Sequence, residues 1–193
     1  MRTNLLYVFI ILLFTSCDEY TPKPKGYSRI ERTPYESVKF ERPEFSFLYP
    51  SDSKIEYLTP EAKSEIWFNI IYPEYRATVY CTYIPSEKKG IAKMLDDSHR
   101  LAYSHAVKAD GISQSQFTDS LHHTYGLIYD IKGAVASPLQ FYLTDHVSNY
   151  LRGSVYFDYV INPDSISPVI AFVRGDIVNM MKSLRWGNSD KKR

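Results

Sequence analysis

Five histidines (His99, His105, His122, His123 and His146) and two cysteines (Cys17 and Cys81) are the residues with which this 193-residue chain could build a metal centre or an activated nucleophile. Their spacing argues against both. On a helix, His99 and His105 are six apart and fall on different faces; on a strand or turn, His122 and His123 point to opposite sides. Neither pair is a natural two-ligand metal site. Asp119, His122, Asp145 and His146 could converge only through the fold, and among 22 acids and five histidines such sets arise by chance. The sequence holds no Walker loop, no glycine-rich dinucleotide fingerprint, no Gly-x-Ser-x-Gly elbow and no His-Glu-x-x-His. Cys81 lies in the alternating run Ala77–Tyr83 with no histidine near it in sequence, and it reads as a packed core thiol. The expectation is a protein without metal, cofactor or catalytic residues.

Cys17 has a different setting. Arg2 precedes the unbroken apolar run Leu5–Phe14, which gives way to Thr15-Ser16-Cys17-Asp18-Glu19. A short positive start, ten apolar residues and small residues before a break form an export signal, too short to span a bilayer. Leu13-Phe14-Thr15-Ser16-Cys17 also resembles a bacterial lipobox, which implies cleavage just before Cys17 and acyl chains, palmitate among them, on that cysteine. An ordinary cleaved signal is the alternative; a buried helix is disfavoured because the run is apolar all round with nothing before it to pack against. Removing residues 1–16 takes away one basic side chain, Arg2, and leaves 22 basic against 22 acidic groups. Membrane attachment would then come from acyl chains on Cys17, of which two or more are needed for lasting anchorage. Cys81 would be the other cysteine of the mature chain, so no internal disulfide forms.

A net charge of +1 leaves no electrostatic surplus for nucleic-acid binding. No apolar run reaches the roughly 18 residues of a spanning helix, and 8 glycines with 11 prolines are too few for a low-complexity chain. Three segments follow: 1–16, a lipoprotein signal peptide; 17–44, the lipidated cysteine and an extended tether; 45–193, a globular α+β domain. Pro22, Pro24, Pro34 and Pro43 make the middle segment semi-rigid. Tyr27, Ile30, Tyr35, Val38 and Phe40 recur too often for a purely solvated linker, so part of it lies along the domain or a partner, or else it is a spacer with scattered apolar residues.

Within the domain, runs rich in Tyr, Phe, Ile and Val predict strands over 45–49, 54–58, 64–72, 76–83, 112–118, 124–132, 139–144 and 149–160. Two segments have helical period. In one, Ile91, Met94, Leu95, Ser98, Ala102 and His105 share a face, with Ser86 as cap and Asp110-Gly111 as stop. In the other, Ser167-Pro168 starts a helix carrying Ile170, Val173, Ile177, Met180 and Leu184 on one stripe. The fold class is therefore α+β, a mostly antiparallel sheet of about six to eight strands packed with two main helices. The order, closing on Met181–Trp186, resembles the sandwich shared by the photosystem protein PsbP and the nuclear import factor Mog1, an analogy that carries no function.

The second half holds a denser pattern: Ser137-Pro138-Leu139-Gln140-Phe141-Tyr142-Leu143-Thr144-Asp145, then Leu151-Arg152-Gly153, then Asp164-Ser165-Ile166-Ser167-Pro168-Val169. Together with the lipobox cysteine, Pro22-Lys23-Pro24-Lys25-Gly26-Tyr27, Arg29-Ile30 and Tyr80–Tyr83, these blocks resemble the gliding-motility lipoproteins called GldD, from Bacteroidetes. The resemblance spans nearly the whole mature chain. It implies a non-enzymatic cell-envelope lipoprotein required for gliding motility, associated with the type IX secretion machinery and working beside other envelope lipoproteins. The expected location is the outer membrane, with the periplasmic face of the inner membrane as the alternative.

A contact surface is expected within 136–169, where aromatic residues crowd around Arg152, residue types enriched at binding hot spots. Adjacent strand residues face opposite ways, so Phe141 and Tyr142 cannot both enter one core, nor can Tyr156 and Phe157. Arg152, Phe141, Tyr142 and Tyr156 are the candidate partner-binding residues; helices covering both faces of the sheet would bury them instead. Arg152 could also pair with Asp145 or Asp158. Two other classes stay open: a periplasmic ligand-binding module, which needs an aromatic-lined pocket, and an envelope hydrolase, which needs a nucleophile within reach of a base.

Overall fold

The computed structural model of the protein describes residues 30–59, 64–104, 107–158 and 163–187. The signal peptide, Cys17, the tether up to residue 29, His105 and Tyr159 lie outside the described residues. Among the described residues, ten strands and two helices follow in the order β1 (Ser37–Glu41), β2 (Phe45–Pro50), β3 (Lys54–Leu58), β4 (Ile66–Tyr72), β5 (Ala77–Pro85), α1 (Lys88–Tyr103), β6 (Ala109–Asp119), β7 (Thr124–Gly133), β8 (Leu139–Thr144), β9 (Asn149–Phe157), α2 (Pro163–Ser183) and β10 (Arg185–Trp186). The fold is α+β. One sheet has seven strands in the order β3-β4-β5-β9-β8-β7-β6, the other three in the order β1-β2-β10. Every strand pairing is antiparallel.

Alternation assigns each strand residue to one of two faces of the large sheet. Phe68 of β4, Cys81 of β5, Gly153 of β9, Phe141 of β8 and Ile128 of β7 fall in one cross-strand row. This first face meets α2 and the small sheet. Of the expected stripe, Val173, Ile177, Met180 and Leu184 are buried against it, joined by Val169 and Met181, whereas Ile170 is half-buried. The small sheet adds a packed set of rings: Phe40 lies 4.8 Å from Phe47 and 5.3 Å from Phe68, and Phe45 lies 4.9 Å from Tyr83. The second face is covered over β7, β8 and part of β9 by α1, whose Ile91, Ser98 and Ala102 are buried. Ala102 packs there with Tyr129, Ile131 and Val135, and Ser98 hydrogen-bonds the Tyr150 hydroxyl.

Several boundaries differ from the sequence reading. Helix α1 begins after Glu87, not at a Ser86 cap, and ends at Tyr103 with Ser104 donating to the carbonyls of Arg100 and Leu101; Asp110 and Gly111 belong to β6. Helix α2 starts at Pro163, and Pro168 lies inside it. Pro168 is the sixth residue of the helix, where the ring removes the amide that would bond back one turn and crowds the carbonyl there. The packed structure also extends N-terminal of Phe45. Strand β1 pairs with β2 from Ser37↔Pro50 to Glu41↔Ser46, so the boundary expected at Phe45 cuts a hairpin. Its buried residue is Phe40, and the surrounding charges Lys39 and Glu41 hid a strand whose five residues are otherwise exposed.

Residues 30–36 are fixed more firmly still. Arg32 donates through Nε and Nη2 to Asp52, at 2.8 Å each, and through Nη1 to both oxygens of Asp176 at 2.9 and 2.7 Å. The Tyr35 hydroxyl donates to Asp176 at 2.7 Å, while its ring lies 3.9 Å below the Arg32 guanidinium. Burial works against the Arg32 charge, but the two carboxylates outweigh it and hold the guanidinium protonated above its ordinary value. For Asp176 burial dominates and raises the carboxyl from its ordinary value, against the lowering by Tyr35 and Arg32. Arg32 thus latches the chain's N-terminal approach to the β2–β3 turn and to α2.

Candidate interaction face

The second face of the large sheet is not covered throughout. Helix α1 shields β7 and β8 but leaves β3, β4, β5 and the far side of β9 bare among the described residues. The register builds this open wall in three rows: Leu58, Trp67, Thr82 and Arg152; Glu56, Asn69, Tyr80 and Ser154; Lys54, Ile71, Thr78 and Tyr156. Tyr80 is 49 % exposed, and its ring meets Tyr156 edge-on at 5.5 Å. Leu58 and Tyr156 are also exposed. Trp67 is half-buried, its indole N–H donating to Glu65 at 2.7 Å.

Two polar groups on this wall stand out. Asn69, at its centre, is only 6 % exposed and donates to Glu56 at 3.4 Å, yet its Oδ1 accepts from no described residue. A buried amide oxygen without a donor costs free energy. Arg152 is exposed and makes no ion pair among the described residues. Neither suggested partner is available to it. Asp158 pairs with Arg76 at 2.8 Å. Asp145 instead folds its own loop: Oδ1 accepts from the backbone of Val147, Ser148 and Asn149 at 2.8 to 2.9 Å, and Oδ2 from the Asn149 side chain at 2.7 Å. Burial opposes the Asp145 charge, but these donors prevail and hold the carboxyl below its ordinary value.

The four candidate residues therefore divide. Arg152 and Tyr156 lie on the open wall. Tyr142 shares that face but sits beneath α1, half-buried and stacked at 6.2 Å on Tyr150. Phe141 points the other way and is 3 % exposed, in the main core; it faces no partner. Phe141 explains instead why glycine follows Arg152: a Cβ on Gly153 would stand 2.4 Å from the Phe141 ring. The sequence blocks around Phe141 and Gly153 are packing motifs. Leu58, Trp67, Asn69 and Tyr80 were not expected at any surface, because the alternation of β4 and β5 reads equally well as two covered faces.

The candidate chemistry resolves similarly. His122 Nδ1 lies 2.7 Å from Asp119 in the β6–β7 turn, and the neighbouring Thr124 hydroxyl donates to the His122 carbonyl, not to the ring. His146 stacks on Tyr125 at 4.9 Å. Among the described residues no three His, Cys, Asp or Glu side chains gather as metal ligands. Cys81 is buried, and burial pushes its thiol far above the ordinary value, which leaves it inert. A cavity of about 510 Å³ opens between the β1–β2 hairpin and the end of α2, lined by Tyr35, Pro50, Asn179 and Lys182; its one carboxylate, Asp176, is already engaged by Arg32 and Tyr35. No helix among the described residues is long and apolar enough to cross a membrane.

The fold and the surface define an α+β sandwich of two antiparallel sheets with one wall of the larger sheet left open. The family model for the gliding motility lipoprotein GldD matches residues 17–186, and the chain belongs to that family. Membership makes it an envelope-associated lipoprotein with a role in gliding motility. No curated protein matches the chain.

Proposed function

We propose that this protein serves gliding motility by contact and not by catalysis, held to the outer membrane through acyl chains on Cys17 and touching other envelope lipoproteins of the gliding and type IX secretion machinery. The observation that carries this reading is the open wall of β3, β4, β5 and β9. Exposed aromatic rings and a guanidinium that makes no ion pair among the described residues are the groups that a protein partner covers and satisfies. The matched segment begins at Cys17 itself, in keeping with a mature chain that starts at a lipidated cysteine. Blocking that modification with Cys17→Ser is expected to abolish fatty-acid labelling and release the protein from the membrane fraction; a labelled mutant would refute the assignment.

The contact surface is tested by Arg152→Ala combined with Tyr80→Ala and Tyr156→Ala. These side chains contribute little to the core, so each change is expected to alter stability by no more than about 0.5 kcal/mol, while gliding and co-purification of neighbouring envelope lipoproteins are lost. Normal gliding with an unchanged set of co-purified proteins would remove this wall from the function. Phe141→Ala is the contrasting control, expected to act through unfolding, by about 3–5 kcal/mol.

A further inference from the structure

The two sheets end in four edges, and a sheet edge presents unpaired backbone N–H and C=O groups to any extended chain that approaches. Proteins guard such edges with shortness, charge, proline or bulges. Three of the four are guarded: β10 has two residues, β1 carries the Lys39–Glu41 ion pair within five residues, and β3 places Lys54 and Glu56 within five. The fourth is not. Strand β6 has eleven residues, and Gly111–Thr118 contains neither a charge nor a proline. Its one irregularity, a shift between Ala109 and Gly111, lies at the end and leaves the pairing with β7 regular from Gly111 to Asp119.

The strand is also rigidly backed. Arg174 of α2 spans Asp130 and Ser115, and Gln114 donates to the Tyr103 hydroxyl of α1. Ile112 and Phe117 are half-buried at the rim. The two most exposed large apolar side chains among the described residues, Val107 at 95 % and Leu121 at 81 %, bracket the strand in sequence. Asp110 closes one end with negative charge, and Asp119 closes the other while held by His122, whose Nδ1 lies 2.7 Å from its carboxylate.

We infer that β6 is a docking edge that accepts an extended segment of a partner protein as an eighth strand, uncharged through its middle and basic at its ends. Backbone pairing supplies the affinity in this mode of recognition, and flanking side chains supply the selectivity. Charge decides between a foreign strand and a second copy: antiparallel self-pairing over the whole segment sets Asp110 beside Asp119 at both ends, whereas Lys or Arg in a partner meets opposite charge there. The inference stands on the sheet edge and is independent of the open wall.

Amide hydrogen exchange of the full chain in detergent micelles tests it, with a synthetic nine-residue peptide alternating Val and Thr between terminal lysines as the probe. At a peptide concentration ten times Kd, exchange over 109–119 should slow about tenfold. The same peptide with a central proline should give no protection, and one with terminal glutamates should bind more weakly at low ionic strength. Absence of protection, or equal protection by the proline peptide, overturns the proposal. Protection of β6 that grows with protein concentration alone, with dimers in sedimentation, overturns the foreign strand in favour of self-pairing.

Discussion

Asp145 shows how a single side chain organises a turn that neither strand could hold alone. Its carboxylate collects three backbone amides and the Asn149 side chain, Asn149 in turn accepts from the buried Tyr83 hydroxyl at 2.7 Å, and His146 takes φ +60° to make the return. The left-handed backbone at a non-glycine residue is tolerated because these bonds fix it. Replacing the carboxylate by an amide turns one acceptor into a donor facing other donors, and Asp145→Asn is expected to cost about 1–3 kcal/mol at neutral pH. The sign of the pH dependence follows from the lowered carboxyl: its contribution is complete above the unfolded value of about 3.9 and is lost as pH falls through the folded value. Urea titrations of both proteins should therefore show a gap that is constant above about pH 5 and closes below about pH 4. A gap that persisted in acid would mean the carboxylate's charge is not what holds the loop. At this scale the sequence was partly legible. The core thiol of Cys81 followed from its alternating neighbours, whereas Asp145 looked as fit to pair with Arg152 as with its own backbone, since loop closure is invisible without coordinates.

Among the elements, those with strong periodicity could be read directly. The stripe of α2 and the strands β2, β3, β8 and β9 follow from apolar spacing and from turn residues. Missed were β1, whose single buried residue Phe40 sits among charges, and the two-residue β10, too short to leave a pattern. Which strand face is covered was equally hidden, because strand order is set by tertiary pairing: Trp67, Tyr80 and Tyr156 become neighbours only once β4, β5 and β9 lie side by side. The β8–β9 pair carries the sharpest element-level test. Phe141 lies opposite Gly153 and its ring occupies the space of the missing side chain. Overpacking of this kind costs about 1–3 kcal/mol, so Gly153→Ala should lower the midpoint of denaturation by that amount. Shortening the ring with Phe141→Leu in the same chain should recover part of the loss, a coupling expected of residues in contact. Additive effects of the two changes would show that the close approach does not constrain the pair.

For the molecule as a whole, the Arg32 latch sets where the tether ends and the folded body begins. Cys17 and Arg32 are fifteen positions apart, so a lipid carried by Cys17 would lie within about 50 Å of the latch even at full extension of roughly 3.3–3.6 Å per residue. A boundary at Phe45 would allow the body almost twice that reach. The two boundaries also differ in stability. A chain starting at Phe45 lacks Arg32 and leaves Asp176 buried without its cation, a loss of about 3–5 kcal/mol for a broken buried pair. It also lacks Phe40, whose removal from the ring cluster costs a similar amount. Together these approach the whole stability of a typical domain, about 5–15 kcal/mol. The chain beginning at Ile30 should therefore melt cooperatively, and the one beginning at Phe45 should melt far lower or not fold at all. Within the longer chain, Arg32→Ala should reproduce the first loss, and adding Asp176→Leu should restore much of it, because the deeply buried carboxylate is then gone and the one left without its cation, Asp52, is 25 % exposed and solvated. Equal melting temperatures for the two chains would return residues 30–44 to the tether.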